Sequence, residues 1–314
     1  MPPKSAGNRA NRHMRTIVLG GSGFLGGAIA QELVDDDHDV VVLDVAGSQT
    51  ACDARFGAGA VEFVEGDILD RQALGAHLRG ADEVYHLAGK LGTSELDDVP
   101  TLAVQVNVLG SINVFETAIA EGVARVFHAS KPNVWLNAYT ITKGAAEQLG
   151  ALYDRDASST QLCSLRYFNA FGPHQAHAPV RKLVPTFVRQ ALRGEPLEIY
   201  GDGDQVVDLI YVRDAARMTV RYMRVERAPG GLLAPDCGRG VPVTVNQLAR
   251  TINDATGNRA GVRHLPMRSG EDEGTELVAS TEPLLASIDG FRFTDWERSL
   301  EQTIAWYASR GAER

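Results

Sequence analysis

The sequence predicts an α/β fold, a doubly wound parallel sheet followed by a smaller C-terminal lobe. Three observations carry that prediction. Apolar, β-rich runs alternate with amphipathic helical stretches through the first half. A glycine-rich turn joins the first such run to the first helix. After about Asn169 the rhythm changes, and Gly and Pro become frequent.

The strand-like runs are 16–19, 40–43, 61–64, 83–87, 125–129 and 161–166. The helical stretches between them include 26–34, 104–121 and 137–154. This order places helices on both faces of the sheet and ligands at the carboxyl ends of its strands. The later part holds helices near 183–193, 244–256 and 296–309. Segments 206–212 and 231–235 are read as strands returning to the main sheet. Residues 1–14 read as a disordered tail, 15–168 as the first domain and 169–314 as mainly the second lobe. Met14 is a second possible start, and four basic residues in the tail make a weak case for a nucleic-acid-binding arm.

Composition narrows the class. The chain has 314 residues, 44% of them hydrophobic, which is ample for a large core. Its formal net charge of -9 argues against nucleic acid as the main partner. Cys52, Cys163 and Cys237 are dispersed and odd in number, which fits reduced cytoplasmic thiols rather than disulfides or zinc. No His, Asp or Glu cluster has metal spacing, so no metal is expected. No apolar run is read as reaching the ~18–20 residues of a membrane span.

The turn after the first strand reads Gly20-Gly21-Ser22-Gly23-Phe24-Leu25-Gly26. Glycine reaches the required φ cheaply, and its missing side chain lets backbone approach a pyrophosphate. The helix behind it offers free N–H groups and a positive dipole end. A strand before and a helix after turn a common glycine loop into a dinucleotide signature, the Rossmann arrangement. Asp44 ends the second strand, about 20 residues on, where a carboxylate binds ribose hydroxyls and repels a 2′-phosphate. That favours NAD over NADP; a plain strand-end aspartate is the alternative. Asp67, ending the third strand, is read either as a partner of the adenine amino group or as a helix cap.

Tyr139 and Lys143 are four apart at the start of a helix, hence on one face. A neighbouring ammonium and the nicotinamide cation would favour the phenolate, which can then take a hydroxyl proton. Lys143 can also hydrogen-bond the nicotinamide ribose.

Six segments make a resemblance explicit: 20–26, 84–89, 107–110, 139–143, 166–173 and 199–203. Tyr211-Val212-Arg213-Asp214 and Arg268-Ser269-Gly270-Glu271 extend it. Together they resemble the extended short-chain dehydrogenase/reductases, the NAD-dependent nucleotide-sugar epimerase/dehydratase family, from about Arg15 to Tyr307. The resemblance implies a Rossmann domain with a substrate-binding lobe. It implies cofactor contacts from Gly20, Gly23, Phe24, Leu25, Gly26, Asp44, Asp67, Ile68, Leu87, Ala88, Gly89, Asn107, Lys143 and Tyr167. It places Lys90, Asn169, Lys182, Leu183 and Arg268 against the substrate, with Arg268 forking onto its diphosphate; a solvated arginine is the rival reading. His86 is expected to pack near the cofactor as a structural histidine. Helices 104–121 and 137–154 would pair as the four-helix interface of a homodimer, though their apolar faces equally suit an internal core.

Two departures qualify the reaction. The usual Ser/Thr partner of the tyrosine falls in Ala129-Ser130-Lys131-Pro132-Asn133, with only seven residues between Lys131 and Tyr139. That spacing resembles the 4,6-dehydratases with a Thr-Asp-Lys motif. Ser130 then replaces the acid, and Lys131 keeps a lysine able to remove the proton on sugar carbon 5. Alternatively, Lys131 is a solvated loop lysine and Ser130 alone aids Tyr139. Second, Val207 stands where the family has a diphosphate-binding arginine. The leading reading is an epimerase working through a transient keto sugar. A 4,6-dehydratase or 4-keto reductase is the alternative, and a non-catalytic NAD(P) sensor is the alternative of another class.

Overall fold

The computed structural model describes residues 13–92, 94–132, 134–156, 159–228, 234–267 and 274–310. The chain runs β1 (Arg15–Leu19), α1 (Phe24–Asp35), β2 (Asp39–Asp44), α2 (Gln49–Phe56), β3 (Val61–Glu65), α3 (Arg71–Leu78), β4 (Glu83–His86), α4 (Ser94–Asp97) and α5 (Pro100–Ala103). A π-helical stretch, Val104–Leu109, joins α5 to α6 (Gly110–Ala120). Then come β5 (Arg125–Ser130), α7 (Ala138–Asp156), β6 (Gln161–Tyr167), β7 (Asn169–Phe171), α8 (Leu183–Leu192), β8 (Leu197–Tyr200), β9 (Val206–Tyr211) and α9 (Val212–Met223). The last elements are β10 (Asp236–Cys237), β11 (Pro242–Thr244), α10 (Val245–Thr256), β12 (Val262–Leu265), β13 (Glu276–Leu277), α11 (Glu282–Ser287) and α12 (Trp296–Ser309).

Seven parallel strands form the main sheet in the order β10-β6-β5-β4-β1-β2-β3. The order reverses between β1 and β4, which opens a crevice at their carboxyl ends. Strands β1, β2, β4 and β5 are buried along most of their length. A parallel strand covered on both faces must be continuously apolar, which explains runs such as Val40-Val41-Val42-Leu43. One face packs on α1, α9 and α11 through Val18, Ile29, Val42, Met218 and Leu284. The other packs through Ile17, Val41, Leu74, Val114 and Phe115, under α3 and α6. A separate core, with Phe187, Leu248, Leu300 and Tyr307, holds the second lobe.

Two sheet assignments from sequence need correction. Strand β9 does not join the main sheet; it pairs with β7, β11 and β13 in a four-stranded sheet of its own. An apolar run signals burial and leaves the partner strand open. The strand that does return is β10, on the edge beside β6. Of 231–235, only the last two residues lie within the described chain, and they precede β10. Residues 1–12 of the expected tail lie outside it.

Helices α5 and α6 with their π stretch form one unit, Pro100–Ala120. It is 21 residues long, with a mean hydropathy of 1.3 over an 18-residue window, long and apolar enough to cross a membrane by length and composition. The expectation that no run reaches that length therefore fails. Several of its polar side chains are nevertheless bound within the fold. Asn113 donates to the Ile68 carbonyl at 3.0 Å, and Ser111 Oγ donates to the Asn107 carbonyl at 2.7 Å.

Candidate active site

The glycine turn is shaped by close backbone contacts. Gly20 has φ +80, and a Cβ there would meet Ala88 N at 2.6 Å. A Cβ on Gly26 would lie 2.3 Å from the Gly20 carbonyl oxygen, while Gly23 needs less room. No side chain caps α1. Its first N–H groups, from Phe24 and Leu25 onward, are thus the open donors of a helix N-terminus. The Phe24 and Leu25 side chains point away from that end and pack on the cores. Asp44 Oδ2 accepts the Ser22 N–H at 3.1 Å, so its carboxylate is held against the turn. A bare helix N-terminus, a turn no larger residue enters and a carboxylate at the end of β2 fit a dinucleotide. Asp44→Ala should cost NAD about tenfold or more in affinity and erase its advantage over NADP. Titration of the protein with each nucleotide checks this, and an unchanged ratio of the two constants contradicts it.

The other expected cofactor residues divide. Leu87 donates its N–H to the Leu19 carbonyl at 2.8 Å, fixing the end of β4 beside the turn, with Ala88 and Gly89 following. Asp67 Oδ1 accepts from Leu69 N at 2.9 Å, and Asp70 rather than Asp67 caps α3. The cap alternative for Asp67 is therefore wrong. Ile68 is buried under Gly110, where a Cβ would come within 2.5 Å of its Cδ1. Asn107 is buried with its amide occupied. It accepts from Lys90 N at 2.8 Å and donates to the Lys90 carbonyl at 3.2 Å and to Thr142 Oγ1 at 3.1 Å. It positions the loop after β4 against α7. Tyr167 is a core residue: its hydroxyl bonds Thr219 on α9, and its ring meets Phe127 edge-on. It leaves β6 on the face covered by α9, which puts it in the core. His86 is structural, as expected, with Nε2 2.9 Å from Ser111 Oγ.

Tyr139 and Lys143 share the inner face of α7. Lys143 is buried, and its Nζ lies 3.1 Å from His128 Nε2 on β5. Burial pulls the Lys143 ammonium down to about 8, with Glu147 acting the other way. Burial pushes the Tyr139 hydroxyl up to about 12. In the protein alone, desolvation thus outweighs the phenolate stabilisation expected from Lys143.

Ser130 and Lys131 part company. Ser130 Oγ donates to Glu147 Oε2 at 2.6 Å, and Glu147 is in turn forked by Arg166, with Nε 3.1 Å from the same oxygen. Lys131 instead turns toward the tyrosine. Its Nζ lies 5.4 Å from the Tyr139 ring centroid and 4.9 Å from that of Trp135, and it donates to Thr140 Oγ1 at 2.6 Å. Burial lowers its pKa to about 8. The reading of Lys131 as a solvated loop lysine does not hold. Trp135, Glu147 and His128 were missed from sequence; only the i,i+4 spacing of Glu147 from Lys143 could have hinted at one of them.

On the substrate side, Lys182 precedes α8 and is held below the usual lysine range by burial, with Glu95 opposing. Leu183 starts that helix. Asn169 Nδ2 donates to the Asp208 carbonyl at 3.3 Å, and Lys90 is exposed. Arg268 lies outside the described residues. Among the described residues no cluster could hold a metal ion.

A family model described as the NAD dependent epimerase/dehydratase family matches residues 16–231. The chain is 26% identical to a UDP-N-acetyl-alpha-D-glucosaminuronate decarboxylase of Bacillus cytotoxicus, over 93% of this chain and 97% of that one. It is 28% identical to a UDP-glucose 4-epimerase of Mycolicibacterium smegmatis, over 90% and 97%. The solved structure of epimerase Mth375 from Methanothermobacter thermautotrophicus superposes with a TM-score of 0.87 at 28% identity, covering 96% of this chain and 94% of that one.

Proposed function

The chain belongs to the NAD dependent epimerase/dehydratase family, and we propose that it epimerises a nucleotide-activated sugar through a transient keto intermediate. The observation that carries this reading is the grouping of Tyr139, Lys143 and Lys131 at the carboxyl end of β5, in a chain whose glycine turn and Asp44 fit NAD. NAD, when bound, supplies the acceptor and donor of hydride.

The protein supplies the proton chemistry. Tyr139 takes the proton of the sugar hydroxyl at its phenolic oxygen as the carbonyl forms, and returns it as the carbonyl is reduced. Lys143, beneath it on the same helix face, holds positive charge where the phenolate develops. Lys182 and Asn169 are the groups offered to the nucleotide diphosphate. Val207 leaves β9 without the family arginine, so Lys182 carries more of that charge. Elimination of water is disfavoured because Ser130, standing where a dehydratase keeps its acid, is committed to Glu147.

The experiment is incubation with NAD⁺ and UDP-, GDP- and dTDP-sugars, with products read by NMR. A new epimer without net reduction of NAD supports the reading, and turnover of none of them refutes it. In heavy water the same experiment tests Lys131. The neutral amine is the base, so deuterium entering at sugar carbon 5 should increase as pH rises through about 8. Lys131→Ala should abolish that exchange. Exchange that persists in the variant assigns the base elsewhere.

A homodimer is part of the proposal. Val104 and Leu109 on the Pro100–Ala120 unit and Ile141 and Leu152 on α7 are exposed, an unpartnered apolar surface of the kind that pairs copies. Light scattering should find a dimer, and Leu109→Glu with Ile141→Glu should yield a monomer. A monomeric wild-type chain at micromolar concentration contradicts it.

A further inference from the structure

We propose that a cleft on the outer side of α1 binds a phosphate-bearing anion, and that Arg55 transmits its occupancy to the glycine turn. The cleft has a volume of ≈ 680 Å³ and lies between α1, α9 and α12. Arg55, Arg213 and Arg298 line it, with His174 and Trp306. Glu32 and Asp35 line it too, on α1, together with Arg217, which is already paired with Asp214.

Arg55 is the anomaly. Its guanidinium is partly buried and has no carboxylate within salt-bridge reach among the described residues. It donates instead to three carbonyls of the turn: Ser22 at 3.2 Å, Gly23 at 2.9 Å and Phe24 at 3.3 Å. Burial draws its pKa down to about 10. A partly buried cation without a counter-charge is costly, and an entering anion relieves that cost. Arg213 and Arg298 also have no ion pair among the described residues. His174 occupies the left-handed region at φ 69, and its ring lies tilted 5.1 Å from that of Trp306, whose ring also carries Arg310 at 4.5 Å. Burial, then Arg55, Arg310 and Arg213, hold His174 at about 4, so its ring is neutral amid cations. Several guanidinium groups lining one cleft suit a phosphate better than a single carboxylate.

Arg55 touches the cleft on one side and the turn on the other. Neutralising its charge weakens the positive field at the turn, so anion and NAD should antagonise each other, reciprocally and to a limit. The test measures NAD affinity at fixed ionic strength with increasing inorganic pyrophosphate. The NAD Kd should rise roughly fivefold and then level off. Arg213→Ala with Arg298→Ala, both exposed side chains outside the proposed catalytic and cofactor machinery, should remove the plateau. A rise without limit means simple competition at the turn and overturns the proposal. So does no change, or the same plateau in the double variant. Repeating the titration with a sugar monophosphate separates the sources: a plateau at lower concentration than pyrophosphate marks an ester as the ligand, and the reverse marks a free anion.

Discussion

Tyr139→Phe should lower turnover by roughly 10²–10⁴-fold while leaving NAD binding within about twofold. The change removes one oxygen and keeps the ring, so the Lys131 ammonium retains its aromatic neighbour. Lys143 keeps its contact with His128. Only the proton-transfer atom is lost. Because burial holds the free hydroxyl up at about 12, the wild-type tyrosine starts neutral near pH 7. Its phenolate must then be favoured by the cationic nicotinamide and by Lys143 within the complex. Steady-state rates beside a direct NAD titration check this. Residual activity within about tenfold of wild type would remove Tyr139 from the mechanism.

Gly26→Ala should weaken NAD binding by roughly 10–100-fold. The new Cβ would stand 2.3 Å from the Gly20 carbonyl oxygen and 3.0 Å from its carbon. These are backbone atoms, and no flexible side chain is available to yield. Either α1 moves outward or the turn opens, and both displace the helix N-terminus from the pyrophosphate. Calorimetric titration with NAD measures the loss. An affinity within about threefold of wild type would show that the turn is not where the cofactor binds.

Much of the fold was legible because its causes are local. Parallel strands covered on both faces are apolar along most of their length, and the six strands β1 to β6 were readable to within one residue at each end. Thr244 opens α10 with a complete capping box, and the expected helix began there. The start of the Pro100–Ala120 unit was read four residues late, although Pro100 at its first position is a local signal. Strand β10 has two residues and carries no pattern. The partner of β9 depends on tertiary pairing.

The site was legible where chemistry has a fixed spacing. The glycine turn, Asp44 and the Tyr139–Lys143 pair all gather around the sheet crevice. Direction was harder. Ser130 ends β5 and Lys131 follows it, so the two side chains leave on opposite sides, and only the structure shows which one meets the tyrosine. Asn107 and Tyr167 were assigned to the cofactor, yet their polar atoms are satisfied within the protein. Long-range partners such as Arg55 on the turn or Trp135 over Lys131 leave no trace in spacing.

The central claim is that hydride leaves a sugar carbon and returns to it within one active site. A nucleotide sugar carrying deuterium on carbon 4 tests it most directly, with the product epimer examined by NMR and mass. The account predicts an epimer that keeps its deuterium on carbon 4 and no accumulation of reduced cofactor. Loss of the label to water, or deuterium accumulating in reduced NAD, would contradict it.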